Sequence, residues 1–213
     1  MRKPLSFLLL LLPIALFAAP ACAQERLTID ALLARFASLP GLEARFREEK
    51  RIALLAVPLT SEGRIYFAPP GRLLRRVTSP EPSAALIADG HLTMRQGDRT
   101  ERLAIGDNPV LRGFVDSFRA VLAGDRAALD RFSEARLEPR PEEGDSGWQL
   151  TLRPRAGDLQ RFLREITMRG NGTTIREMRM LEVSGDETRT EFSEVRTDRR
   201  WTDAERARTF RVD

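Results

Sequence analysis

The sequence holds one cysteine (Cys22), one histidine (His91) and only two lysines (Lys3 and Lys50) among 213 residues. Cys22 falls in the N-terminal leader, so the remaining chain has no thiol. That excludes a disulfide, a thiolate zinc site and a cysteine nucleophile. A single histidine excludes any multi-histidine metal site and leaves a Ser-His-Asp triad dependent on His91 alone. His91 follows the turn Asp89-Gly90, a position where a histidine is usually solvated rather than catalytic. The scattered Ser, Asp and Glu residues form no nucleophile elbow and no recognisable acid–base pair. No catalytic residue, no metal and no cofactor are therefore expected.

Long apolar runs are also missing, except at the start. Arg2 and Lys3 precede the almost wholly apolar stretch from Leu5 to Phe17, and Ala21-Cys22-Ala23 supplies small residues. This is the three-part layout of a cleavable secretory signal peptide. The run is shorter than the ~20 residues that span a bilayer, and Pro13 and Pro20 break it. Cleavage is expected after Ala23, leaving a periplasm-type exported protein of residues 24–213. The alternative is a lipoprotein signal with Cys22 acylated, but Ala19 is a poor match to the aliphatic residue usual three positions earlier.

The charge balance is nearly neutral. Removing the leader's two positive charges takes 35 basic against 31 acidic residues to 33 against 31. Arginines alternate with acidic residues instead of forming a one-sign block, so no nucleic-acid footprint is present. No repeat and no Pro/Gly/Ser linker divides the chain, and about 190 residues suit one domain with a substantial core. A monomer is expected.

What is present is a run of strands interrupted by helices. Thr28 is placed to cap a first helix carrying Ile29, Leu32, Leu33 and Phe36, which Pro40-Gly41 ends. Leu42 to Leu55 and Pro58 to Ala68 read as strands, with a bulge or bend at Ser61-Glu62-Gly63. Shorter strands follow at Leu73–Thr78, Ala84–Ala88, Leu92–Gln96 and Arg99–Ile105. The last three are linked by the two-residue turns Asp89-Gly90 and Gly97-Asp98, so they must be antiparallel. Asp107 or Asn108 then caps a helix with Pro109 in its first turn and Gly124 at its end. Its apolar stripe is Leu111, Phe114, Val115, Phe118, Val121 and Leu122, and Asp125 caps a shorter helix with Leu129 and Phe132. Strands resume at Trp148, Leu150 and Leu152. Phe162–Arg169 and Thr173–Val183 pair as a hairpin around Asn171-Gly172, with a type I′ turn expected, and Gly185-Asp186 turns into Thr188–Arg196. The segment with Trp201 and Phe210 carries no clear assignment. The pattern predicts a mainly β protein with helices (α+β).

Several stretches, in this order, resemble the outer-membrane lipoprotein carrier family (LolA-like proteins). Phe46-Arg47-Glu48 stands where the family has Phe-x-Gln, and the stretch from Gly63 to Pro70 where it has Gly-x-hydrophobic strand-Arg-Pro. Pro80 followed by Ala85 to Gly90 is similar to its Pro…hydrophobic-x-Asp-Gly turn. Trp148 to Pro154 looks like its hydrophobic-x-Leu-x-Pro strand end, and the similarity spans residues 28 to 197. The resemblance implies an unclosed antiparallel β-barrel, a half-barrel with a helical lid. It also implies a carrier that takes a lipidated protein or other envelope lipid from an inner-membrane transporter to an outer-membrane acceptor. Two positions depart from the family: its lid-contacting arginine falls on Pro69 and a usual aromatic on Arg75, with Arg72, Arg75 and Arg76 as candidate substitutes for the polar contact.

On that reading the acyl cavity is expected from Phe46, Ile65, Phe67, Leu73, Ile87, Leu92, Met94, Met168, Met178 and Met180, with Leu111, Phe114, Val115, Phe118 and Leu122 as the lid. From the residues alone, the three methionines on one hairpin read first as core filling and second as adaptable ligand contacts, and the resemblance brings the two readings level. The stripe from Leu111 to Leu122 serves equally as a movable lid or as a helix packed permanently on the sheet. Two other readings stand beside the carrier: a lipid-sensing regulator acting through a partner protein, and a small envelope hydrolase.

Overall fold

The computed structural model describes residues 27–155 and 157–212. The leader, its cleavage point and Cys22 lie outside them. Helix α1 (Ile29–Ala37) opens the described chain, followed by β1 (Leu42–Arg51), β2 (Leu59–Ala68), β3 (Arg72–Ser79), β4 (Ser83–Ala88), β5 (His91–Gln96) and β6 (Arg99–Ala104). A 3-10 turn leads into α2 (Pro109–Ala123) and α3 (Arg126–Phe132). Then come β7 (Ser133–Pro139), β8 (Gly147–Pro154), α4 (Asp158–Phe162), β9 (Leu163–Asn171), β10 (Thr174–Glu182), β11 (Glu187–Arg196) and α5 (Asp203–Thr209).

All eleven strands join one antiparallel sheet in the order β6-β5-β4-β3-β2-β1-β11-β10-β9-β8-β7. Each half is a meander in which neighbours in sequence are neighbours in space. The two halves meet only where β1 pairs with β11, Phe46 opposite Phe192 and Lys50 opposite Thr188. Strands β6 and β7 remain as free edges, so the barrel is unclosed. The chain passes from one edge to the other through α2 and α3.

Local signals explain most elements. Thr28 accepts from Ala31 N–H, Asn108 from Leu111 N–H and Asp125 from Ala128 N–H, which caps the first three helices. Gly124 ends α2 in the left-handed region at φ 70°. Asp89 and Gly90 both take positive φ, as a type I′ turn requires. The register shifts between Glu62 and Gly63, where a bulge or bend was expected. A Cβ on Gly63 would sit 2.0 Å from the Arg76 carbonyl and 2.9 Å from the Phe46 ring, so only glycine fits this crossing.

Some elements differ from expectation. The strand begun at Leu42 stops at Arg51 rather than Leu55, because residues 52–58 form the turn into β2. Phe162 closes the short helix α4 instead of opening a strand, and it is exposed. The β9–β10 hairpin exists, but Asn171 pairs with Thr174, so Gly172 and Thr173 form its turn. Thr173 does not have positive φ, which rules out type I′. The Asn171 amide is engaged elsewhere, donating to the Glu143 carbonyl at 2.8 Å.

Helices α1 to α4 lie on one face of the sheet. Leu32, Leu33 and Phe36 of α1, Ala120 and Val121 of α2 and Leu129 of α3 pack with Trp148, Leu150 and Leu152 of β8 and with Leu163, Ile166 and Met168 of β9. The opposite, convex face carries a smaller cluster in which Trp201 and Phe210 flank α5 and cover Ala68, Leu74 and Ala84. The unassigned C-terminal segment is thus a strap across the outside of β2–β4.

One carboxylate fixes the start of α5 within that strap. Glu205 accepts from the Thr202 backbone N–H at 2.9 Å, from its hydroxyl at 3.0 Å and from Arg199 at 3.0 Å. These bonds, the backbone one foremost, lower its pKa from 4.5 to about 2. A depressed folded pKa contributes stability that is present above the unfolded value and lost as pH falls through the folded one. The strap should therefore loosen between pH 4.5 and 2, seen as a shift in tryptophan emission that Glu205→Gln lacks. Identical titrations for the two proteins would refute this role.

Candidate functional site

Side chains alternate across a strand, so Leu42, Ala44, Phe46 and Glu48 of β1 all face the concave side. Beside them stand Ile65 and Phe67 of β2, Leu73 of β3, Phe192 and Val195 of β11, Ile175 and Met178 of β10 and Met168 of β9. Phe118 and Leu122 of α2 close over them. All of these except Phe46 and Glu48 line one cavity whose walls are apolar throughout.

Two bulges make the wall continuous. Phe192 and Val195 are three residues apart, and strict alternation would send them to opposite faces. They share a face because Glu194 takes φ 51° and the β1–β11 register shifts there. Ile175 and Met178 share a face for the same reason, through the shift between Ile175 and Glu177.

The cavity encloses about 50 Å³. About 10–15 Å³ of such space holds one water, so this closed form takes a few waters' worth of ligand and not a long acyl chain. Beyond Phe46 the concave face turns polar. The Arg75 guanidinium lies 4.4 Å from the centre of the Phe46 ring and donates to Glu48 Oε1 at 2.9 Å and to Ser61 Oγ at 3.2 Å. Thr190 donates to the other Glu48 oxygen at 3.1 Å, and Lys50 pairs with Glu182 at 3.0 Å. The apolar surface therefore has a definite end.

The residues expected at the site separate into groups. Ile65, Phe67, Leu73, Met168 and Met178 are in the wall, and Phe118 and Leu122 form its roof. Phe46 is buried on the same face but lies outside the cavity, between Arg75 and Gly63. Met180 is partly buried and packs, with Phe114, against the main core. Ile87 and Val115 line a neighbouring cleft, and Met94 a shallow groove with Arg75 and Ala85. Leu92 and Leu111 are half-buried. Sequence reasoning missed Leu42, Ala44, Ile175, Phe192 and Val195. The alternation through Leu42, Ala44 and Phe46 was a usable signal, whereas the bulged positions had none.

Of the arginines expected to replace the family's polar contact, Arg72 pairs with Asp89 at 3.5 Å, Arg75 turns inward to Glu48, and Arg76 donates to the Arg211 carbonyl at 2.9 Å. His91 bonds the Asp89 carbonyl through Nδ1 at 2.8 Å. Among the described residues no cluster of three or more metal-ligating side chains exists.

An open antiparallel half-barrel with an apolar slot roofed by a helix is thus in place. The family model for outer membrane lipoprotein carrier protein LolA-like chains matches residues 21–211, and the chain belongs to that family. Among solved structures, a DUF1329 family protein from Desulfovibrio piger is similar in fold at TM-score 0.50 and 10% identity, over 86% of this chain and 96% of that one. A LolA superfamily protein from Nitrosomonas europaea matches at TM-score 0.43 and 11% identity, over 84% of this chain and 96% of its own. The MucA/MucB complex of Pseudomonas aeruginosa matches at TM-score 0.49 and 14% identity, over 83% of this chain and 58% of that one. No curated protein matches in sequence.

Proposed function

We propose that this protein is a periplasmic carrier that shelters the acyl chains of a lipidated protein or other envelope lipid between the half-barrel and α2, and does no chemistry of its own. The observation that carries this reading is a slot with entirely apolar walls on the concave face, in a member of a carrier family. Burying hydrocarbon there gains about 0.8 kcal/mol per CH₂, so apolar walls suffice to drive binding without hydrolysis. Because the closed slot is small, loading requires Phe118 and Leu122 to move outward. Such a roof is a lid whose opening is driven by the cargo it then covers. An export leader over residues 1–23, a transporter at the inner membrane and an acceptor of higher affinity at the outer membrane complete the scheme.

The direct test is native mass spectrometry of the protein purified gently from the periplasm, with extraction of whatever is bound. An acylated molecule is expected to co-purify, and the stripped protein should take up a fluorescent acyl probe. A clean unliganded mass together with no probe uptake would remove the reading. Substituting His91→Ala should leave uptake unchanged, because binding needs no titrating group.

A further inference from the structure

Next to the apolar slot lies a second cavity of about 370 Å³ with a different character. It sits between α2 and the β2–β3 and β4–β5 turns. Its walls include three arginines, Arg72, Arg112 and Arg119, against two carboxylates, Asp89 and Asp116. Arg72 is paired with Asp89, but only at 3.5 Å. Among the described residues Arg112 and Arg119 form no hydrogen bond or ion pair through their guanidinium groups, although Asp116 stands between them on the helix. Many exposed arginines on the sheet are paired, as Arg153 is with Glu165 and Arg189 with Glu177, while Arg102 and Arg164 are, like Arg112 and Arg119, without an ion pair. What sets Arg112 and Arg119 apart is that both line one concavity.

The cleft adjoins the slot. Leu73, in the slot wall, pairs directly with Ile87, in the cleft wall. On α2, Phe118 and Leu122 roof the slot while Val115 and Arg119 line the cleft, and positions three or four apart are neighbours on a helix. An amphiphile whose chain lies under Phe118 therefore has its polar end beside Arg112 and Arg119. The guanidinium fork matches phosphate and carboxylate oxygens with paired hydrogen bonds.

We infer that this cleft is a head-group site, and that the cargo is an anionic amphiphile: one acyl region in the slot and a phosphate or other oxyanion held by Arg112 and Arg119, with Arg72 released from Asp89 to join them. This rests on the carrier reading and deepens it by giving the cargo's head a charge.

The test compares two single-chain lipids of equal length, a lysophosphatidylglycerol and a neutral monoacylglycerol, as competitors of a fluorescent acyl probe on the exported protein. The wild type should prefer the anionic lipid about tenfold, which corresponds to ~1.4 kcal/mol. Arg112→Glu with Arg119→Glu should abolish the preference while leaving monoacylglycerol affinity and the circular dichroism spectrum unchanged. Because the head-group contact is partly exposed, the preference should shrink with added salt. Equal affinity for both lipids in the wild type, or a preference that survives the double substitution, would overturn the head-group site alone. Failure of both lipids to bind would overturn the carrier reading and this site with it. Inorganic phosphate alone is the control for a free-anion site: if millimolar phosphate binds as tightly as the anionic lipid, the cleft serves a soluble anion and the lipid assignment falls.

Discussion

Replacing Trp148 with alanine should lower the folding stability by about 3–5 kcal/mol, the range for removing a large buried aromatic. Trp148 is fully buried and joins three parts of the molecule. Its ring meets Phe36 of α1 edge-on, with centroids 5.8 Å apart and planes at 88°. Its indole N–H donates to the Gly172 carbonyl at 2.9 Å in the β9–β10 turn. Its sheet partner is Gly170, where an added Cβ would come within 2.9 Å of the indole. Alanine would therefore leave a cavity under α1 and an unpaired carbonyl at the hairpin together. Trp148→Phe keeps most of the packing and loses the hydrogen bond, which is expected to cost about 1–3 kcal/mol. Domains of this kind are stable by only ~5–15 kcal/mol, so the alanine variant should show a much lower urea midpoint. A loss below about 1 kcal/mol would mean that the helical layer is not anchored through this ring.

The parts of the fold that were legible in advance are those whose causes are local. Asn108, Pro109 and Gly124 mark both ends of α2 within sixteen residues of each other, and Asp89-Gly90 fixes a hairpin by its backbone alone. Pairing of β1 with β11 joins residues some 140 positions apart, such as Glu48 and Thr190, and no local signal announces it. The family resemblance implied an unclosed barrel but not which strands join its two halves. Strand β7 escaped notice because Ala135 and Leu137 are its only apolar inward residues between charged ones. The C-terminal helix escaped because it has no buried residues of its own, being held by Trp201 and Phe210 at its flanks.

The site shows the same division. Ile65, Phe67 and Leu73 could be placed by alternation, because β2 and β3 pair without interruption from Phe67 opposite Leu73 to Gly63 opposite Val77. Ile87, Leu92 and Met94 obey the same alternation, but the helices pack chiefly on β7–β10 and leave that wing half-covered. Which stretch of a concave face becomes a closed slot is decided by where the helical layer rests. That placement depends on contacts such as Leu159 of α4 lying against Gly113 of α2, where an added Cβ would stand 3.3 Å away. Nothing in the periodicity of either segment encodes such a contact.

Whether the slot is a binding site or merely an imperfectly filled core is decided by Ala44→Leu. Ala44 is buried at 1% exposure, opposite Ile65, with its side chain in the slot wall. Leucine adds three carbons where the closed structure has about 50 Å³ of apolar-walled space. If the space is a packing defect, filling it raises stability by about 0.5–2 kcal/mol and has no other consequence. If it is the floor of an acyl site, the same three carbons exclude about three methylenes of the ligand. At ~0.8 kcal/mol each this is ~2.4 kcal/mol, or about a 60-fold weaker acyl probe. We expect both effects in one protein, a thermal midpoint equal to or above wild type and a greatly weakened probe titration. Ala44→Val, which adds less, should fall between the two and guards against overpacking, which costs about 1–3 kcal/mol. An Ala44→Leu protein that is more stable and binds the probe undiminished would place any acyl site away from Phe118 and Leu122. The combination of gained stability with lost affinity is specific to a slot that holds a ligand, since filling a mere packing defect changes stability alone.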